Sequence, residues 1–211
     1  MKLKEPLTGF IHLIGAVLTV PAIVLLIIIG HDSVWKVVSF SIYGSSFFLL
    51  FTFSTLYHWL PQSAGGRFQI FRKLDHLAIY LVIAGTYTPF CLNTLRGQLG
   101  WTILATIWTM ALLGMIVQSV YINVWRWLTT LIYIIMGWMI ILAFKPLLSV
   151  MPAEGIAWLV AGGVIYSVGG VMYALRKPNL SERFGFHELW HAMVLLAAAC
   201  HYIAVLLYVA L

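Results

Sequence analysis

The chain has 211 residues, of which 63% are hydrophobic and 9% carry a formal charge, with a net charge of +6. Soluble domains carry roughly 25% charged residues, so this composition excludes an ordinary soluble fold and indicates an integral membrane protein. Segments of about ten residues with alternating polarity, the mark of a membrane β-barrel, are missing from the sequence, which leaves a helical bundle.

A hydrocarbon core about 30 Å thick takes ~20 apolar residues per helical span, and the sequence divides into seven such stretches. The first, Leu7 to Ile29, carries His12 near its start. It is long enough to span, and no small-residue cleavage site closes a short apolar core, so it is expected to remain as an anchor. An outer loop with a solvated His31 leads to the second stretch, Val34 to Tyr57, which is closed by His58. Ser54 lies one turn before His58 on the same helix face. After the turn-rich segment Leu60 to Arg67, the third stretch, Leu74 to Thr94, opens at Asp75. Gly100 to Val120, Val124 to Phe144 and Ile156 to Leu175 supply three more. Beyond Arg176-Lys177-Pro178-Asn179 the last stretch, Phe186 to Leu211, begins with His187 and His191. The expected fold class is therefore all-α, a single seven-helix transmembrane domain over residues 1–211.

Orientation follows from where the basic residues fall. With the N-terminus inside, Lys2, Lys4, Arg67, Arg72, Lys73, Arg126, Arg176, Lys177 and Arg183 lie on the cytoplasmic side, and only Lys36, Arg96 and Lys145 lie outside. That asymmetry obeys the positive-inside rule and predicts a cytoplasmic N-terminus and an external C-terminus. The positive charge is then a topological signal, and no nucleic-acid partner is expected. Several of the nine Trp, among them Trp35, Trp59, Trp101, Trp125 and Trp127, fall near span ends, where aromatic belts form. Cys91 and Cys200 lack metal or redox spacing and read as small buried apolar side chains.

Topology converts scattered polar residues into a constellation. His58, Asp75, His187 and His191 all fall at the cytoplasmic level, in or near the inner leaflet. Residues four apart on a helix lie within ~40° and ~6 Å of one another, so His187 and His191 can reach one ion. Three neutral imidazoles with one open position make the arrangement of a hydrolytic zinc centre, which acidifies bound water and polarises a carbonyl. His58 would be the third ligand, Asp75 the general base, and Ser54 the donor to the developing oxyanion. Each residue alone has a plainer reading. An isolated His58 is an interfacial hydrogen-bonding group, Asp75 a carboxylate at a helix N-terminus, and Ser54 a hydroxyl bonded to its own backbone. His12 can approach the same depth; His201, ~21 Å further along the last helix than His187, cannot share its ion. His76 points ~100° away from Asp75.

The set Ser54-x3-His58, Asp75 and His187-x3-His191 resembles the hemolysin III family, the bacterial branch related to the progestin and adipoQ receptors within a wider seven-span group that includes alkaline ceramidases. Glu5-Pro6 followed by His12 is similar to the family's N-terminal signature, and Phe71-Arg72-Lys73-Leu74-Asp75-His76 to the opening of its third helix. The likeness covers essentially the whole chain. It departs at Thr8-Gly9-Phe10-Ile11-His12, where the family commonly has Asn shortly before the first-span His.

The resemblance implies a Zn²⁺ site with His58, His187 and His191 as ligands and Asp75 holding a water on the ion. It also implies a lipid-facing cavity and, from the receptor and ceramidase relatives, hydrolysis of an amide in a sphingolipid-like substrate. Pore formation does not follow from it. The expected function is a zinc hydrolase acting on a lipid amide or ester in the plasma (inner) membrane, with membrane lipids as partners. A zinc-stabilised sensor of membrane fluidity and a transporter or pore remain as alternatives. A retinal protein is excluded because Phe186 to Leu211 contains no lysine.

Overall fold

The computed structural model describes residues 3–121, 125–181 and 184–211. Lys2 and Arg183, both assigned above to the cytoplasmic side, and Val124, the expected start of the fifth span, lie outside the described residues. Among the described residues, seven helical stretches are long and apolar enough to cross a membrane.

Local sequence sets where they start and stop. Helix α1 (Pro6–Ile29) opens with proline in its first turn, where the missing N–H has no helical partner to lose. Helix α2 (Val34–Trp59) ends at Leu60, whose extended backbone leads into Pro61. Gly65, at φ 59°, makes the turn that starts α3 (Gly66–Pro89). Pro89 ends the regular ladder and a π turn, Phe90–Thr94, follows; there the Asn93 Nδ2 donates to the Pro89 carbonyl at 3.0 Å and to Ser39 Oγ at 2.8 Å. Helix α4 (Gln98–Val120) comes next. After α7 (Ala153–Leu175) the chain turns at Arg176, with φ 56°, and the Lys177 N–H bonds back to Met172, a left-handed helix stop. The last span is α8 (Phe186–Val205), extended by a π turn through Ala210.

Two boundaries differ from the sequence reading. The third helix begins at Gly66 rather than Leu74, so Asp75 lies inside it, beyond the reach of the helix N-terminal dipole. The charged run containing Arg67, Arg72 and Lys73 had marked this region as a connection, but long basic side chains extend toward water from a continuing helix. The fifth span is broken: α5 (Arg126–Trp138), a 3₁₀ stretch (Met139–Ala143) and α6 (Phe144–Val150) run in series. Lys145, expected in an outer loop, is part of α6 and exposed, and Pro146 sits in the first turn of α6 where it is tolerated.

That break exposes backbone polar groups where no water can satisfy them, and Tyr87 on α3 supplies the partner. Its hydroxyl accepts the Ile140 N–H at 2.8 Å, and the Met136 and Gly137 carbonyls lie 2.9 and 2.8 Å away to take its single hydrogen.

Successive helices α1, α2, α3 and α4 pack side by side, α7 packs on α8, and α8 returns to lie against α1. Helix α5 rests on α3 and α7. Small residues permit the close crossings: a side-chain carbon at Gly15 would meet the Phe51 ring 2.8 Å away, and one at Gly44 would collide with Ile23. The core between helices is filled by Phe40, Phe51, Tyr80, Phe90, Ile107 and Met136. Leu112, Leu113, Ile116 and Val117 on α4 face outward, as apolar side chains do against lipid.

Candidate metal centre

The end of α2, the start of α8 and the residue preceding α1 meet at one end of the bundle. His58 is 1% exposed and His191 4%, a depth at which an imidazole needs a partner for each polar nitrogen. One nitrogen from each of His58, His187 and His191 lies within 4.8 Å of the other two. The Nε2 atoms of His187 and His191 are 3.3 Å apart. Two nitrogens bound at about 2.0–2.1 Å to a tetrahedral ion stand ~3.3 Å apart, so this pair already has the spacing of a ligand edge. The Nε2 of His58 is buried with no hydrogen-bond partner among the described residues. An orphaned lone pair facing two other imidazoles is what a cation would satisfy, and the donor set fits a first-row metal.

The outward nitrogens have partners of their own. His58 Nδ1 meets Glu5 Oε2 at 2.5 Å, and the Glu5 N–H donates to the His58 carbonyl at 2.9 Å. The same carboxylate oxygen is 3.4 Å from His187 Nδ1. A carboxylate accepts only, so it holds the proton of His58 on Nδ1 and leaves Nε2 as the lone pair, the carboxylate–histidine–metal arrangement. Burial alone would raise the Glu5 carboxyl, but the His58 bond and charge, the charge of His187 and the bond from Lys4 hold it down to about 2. On the other side, His191 Nδ1 lies 2.9 Å from His12 Nε2, and the His12 ring packs edge-on against Phe51. His12 thus buttresses His191 from α1, at the depth the sequence allowed.

Glu5 received no role from the residue pattern. It precedes the apolar stretch and stands 53 positions from His58, so hydropathy assigns it to the tail. Its adjacency to Pro6 at a helix start on the level of His58 was the available signal. Thr8, in the stretch where the resemblance lapses, donates to Glu188 Oε1 at 3.2 Å, while Glu188 Oε2 accepts the Gly185 N–H at 2.9 Å. That side chain ties α1 to the first turn of α8 beside the histidines.

Asp75 lines the same cavity as the three histidines, with its side chain 14% exposed and its Oδ2 3.8 Å from His76 Nδ1. His76, expected to point away, also reaches the cavity, its Nδ1 2.7 Å from the Arg72 carbonyl. Ser54 is fully buried one turn below His58. Its Oγ has no partner among the described residues, so it makes no bond to its own backbone, and it is not on the cavity wall. His31 is exposed beside the Ile28 carbonyl, and Cys91 and Cys200 are buried free thiols.

The cavity has a volume of about 680 Å³ and runs from the histidine cluster along α3, α5, α7 and α8, with His201 in its wall. Its walls beyond the cluster are largely apolar, among them Ile83, Leu159 and Val194. A concave apolar space of that size with a few convergent polar groups at one end is the form of a site for an amphiphile.

Comparison with known proteins agrees with this geometry. The family model described as haemolysin-III related matches residues 1–202. Hemolysin-3 of Bacillus cereus is 46% identical over 209 residues, 98% of this chain and 92% of that protein. The Hemolysin-3 homolog of Bacillus subtilis (strain 168) is 39% identical over 98% of this chain and 95% of its own. The human monocyte to macrophage differentiation factor is 31% identical over 90% of this chain and 79% of its own length. With likeness running from the first helix to the helix that carries His187 and His191, the chain belongs to the haemolysin-III-related family of multi-pass membrane proteins.

Proposed function

We propose that His58, His187 and His191 bind Zn²⁺ and that the protein hydrolyses an amide or ester of a membrane lipid at this centre. The observation that carries this reading is the unpartnered His58 Nε2, buried beside two imidazoles at the polar end of the apolar cavity. When bound, the ion supplies Lewis acidity toward a carbonyl and toward water. Everything else falls to the protein. Glu5 and His12 fix the ring orientations of His58 and His191, and Asp75 on the facing helix takes the proton of the attacking water. The cavity seats the acyl chain so that its carbonyl stands at the histidine end. Ser54 supports the His58 turn from behind and offers its hydroxyl to the developing oxyanion after a small shift of α2.

The histidine end also gathers Lys4, Arg67, Arg72, Lys73, Arg126, Arg176 and Lys177, with Lys36 and Arg96 at the other end. This supports a cytoplasmic N-terminus and a site in the inner leaflet, and the membrane we propose is the plasma membrane. The second reading, a metal clip in a non-enzymatic sensor of lipid state, is favoured by the place of Ser54 off the cavity wall.

Purified protein is expected to hold about one zinc per chain, to lose it in the His187→Ala/His191→Ala double variant, and to release fatty acid from ceramide or phospholipid vesicles. Asp75→Asn should keep the metal and abolish release. Full activity in metal-free protein would sink the hydrolase. Metal without turnover, together with altered bilayer order in the ligand variants, would select the sensor.

A further inference from the structure

The cavity has a second polar region. His201, on α8 ~21 Å beyond His187 along the helix axis, is 8% exposed and lines the cavity wall. Its Nε2 lies 3.1 Å from the Leu159 carbonyl, an acceptor only, so Nε2 carries the hydrogen. In the neutral ring that leaves Nδ1 as a bare acceptor, and it is buried without a partner among the described residues. Tyr166 stands against it, ring centroids 5.5 Å apart, and its hydroxyl is likewise buried and without a partner among the described residues. It also lines the cavity. Gly162 makes the arrangement possible: a side-chain carbon there would collide with the His201 ring. Leu159, Gly162 and Tyr166 fall on one face of α7 at helical spacing, so that face forms a cradle for the imidazole.

One unsatisfied acceptor and one unsatisfied donor, both on residues that line the apolar cavity well away from the histidine cluster, define the chemistry of their partner. It must donate to His201 Nδ1 and accept from Tyr166 Oη. A hydroxyl oxygen does both with a single atom; an ether or ester oxygen lacks the hydrogen, and a hydrocarbon offers neither. Two buried unmet polar groups are costly in an apolar setting, which gives the pair a strong preference for a ligand that completes them. We propose that His201 and Tyr166 form a hydroxyl-recognition site for a membrane-dissolved long-chain alcohol or hydroxylated acyl chain, separate from the histidine cluster and independent of any ion there.

The test uses the full-length protein in phosphatidylcholine vesicles, labelled with a diazirine-bearing hexadecanol whose attachment to α7 and α8 is mapped by mass spectrometry. Unlabelled 1-hexadecanol and 1-methoxyhexadecane compete for that labelling. The alcohol is expected to displace the probe at about tenfold lower concentration than the ether, the selectivity one buried hydrogen bond confers. That selectivity should vanish in His201→Phe and in Tyr166→Phe, with bound metal unchanged. Tyr166→Phe removes one oxygen and leaves the packing intact, so it decides the matter if His201→Phe folds poorly. Equal competition by alcohol and ether in the wild type would show that the pair is served by water alone and overturn the proposal. So would selectivity that survives Tyr166→Phe, or metal loss that accompanies its disappearance.

Discussion

Glu5 does two jobs with one carboxylate, orienting His58 and reaching His187. Replacing it with Gln keeps the shape and removes the charge. Glu5→Gln is expected to lower metal affinity 10–100-fold, about the effect of losing a carboxylate behind a ligating histidine, with helical content unchanged; competition against a calibrated chelator measures it. The sign of the pH effect follows from the depressed carboxyl. With a value near 2 against an ordinary 4.5, the contribution of Glu5 is complete above about pH 4.5 and is lost only as the pH falls toward 2. Glu5→Gln should therefore weaken binding across that whole range and shift acid release of the metal to higher pH, as a zinc-indicator titration between pH 4 and 8 would show. At this scale the sequence was partly legible. His58, His187 and His191 stand out because imidazoles are costly in a membrane. Glu5 and Thr8 do not, because their partners are far along the chain, a charged residue before a span looks ordinary, and a threonine within one is cheap.

The broken fifth span depends on a neighbour. Tyr87 satisfies backbone groups at the end of α5 and within the 3₁₀ stretch, and Phe at that position would leave the Ile140 N–H and a carbonyl stranded away from water. Tyr87→Phe is expected to cost about 1–3 kcal/mol, read as a lower midpoint of thermal unfolding in detergent. Phe replacements at Tyr residues on the lipid face should have little effect. Hydropathy placed all seven spans, since a stretch of ~20 apolar residues is a one-dimensional property. It misplaced the start of α3 and the end of the fifth span. In one a basic run hides a continuing helix; in the other a side chain from α3 stabilises a change of helix type that α5 and α6 do not encode by themselves.

For the whole molecule, the orientation inferred from basic residues makes a direct prediction. Cysteine introduced at Ser63, exposed at the histidine end, should react with an impermeant maleimide only in inverted vesicles, and cysteine at Arg96 only in intact cells. The native Cys91 and Cys200 are buried and should stay silent. The reverse pattern would turn the molecule over and place the site in the opposite leaflet. The layout also imposes an order on assembly. His12 and His191, which touch across the site, are 179 positions apart, so at about 5–20 residues per second the second is made roughly 10–40 s after the first. Until α8 has entered the bilayer beside α1, His58 is the one member of the three-histidine cluster in place, held by Glu5. Under the proposed ligand set, capture of an ion would then mark completed biosynthesis: a chain stalled after Leu175 would carry every helix but one and only one of the three histidines.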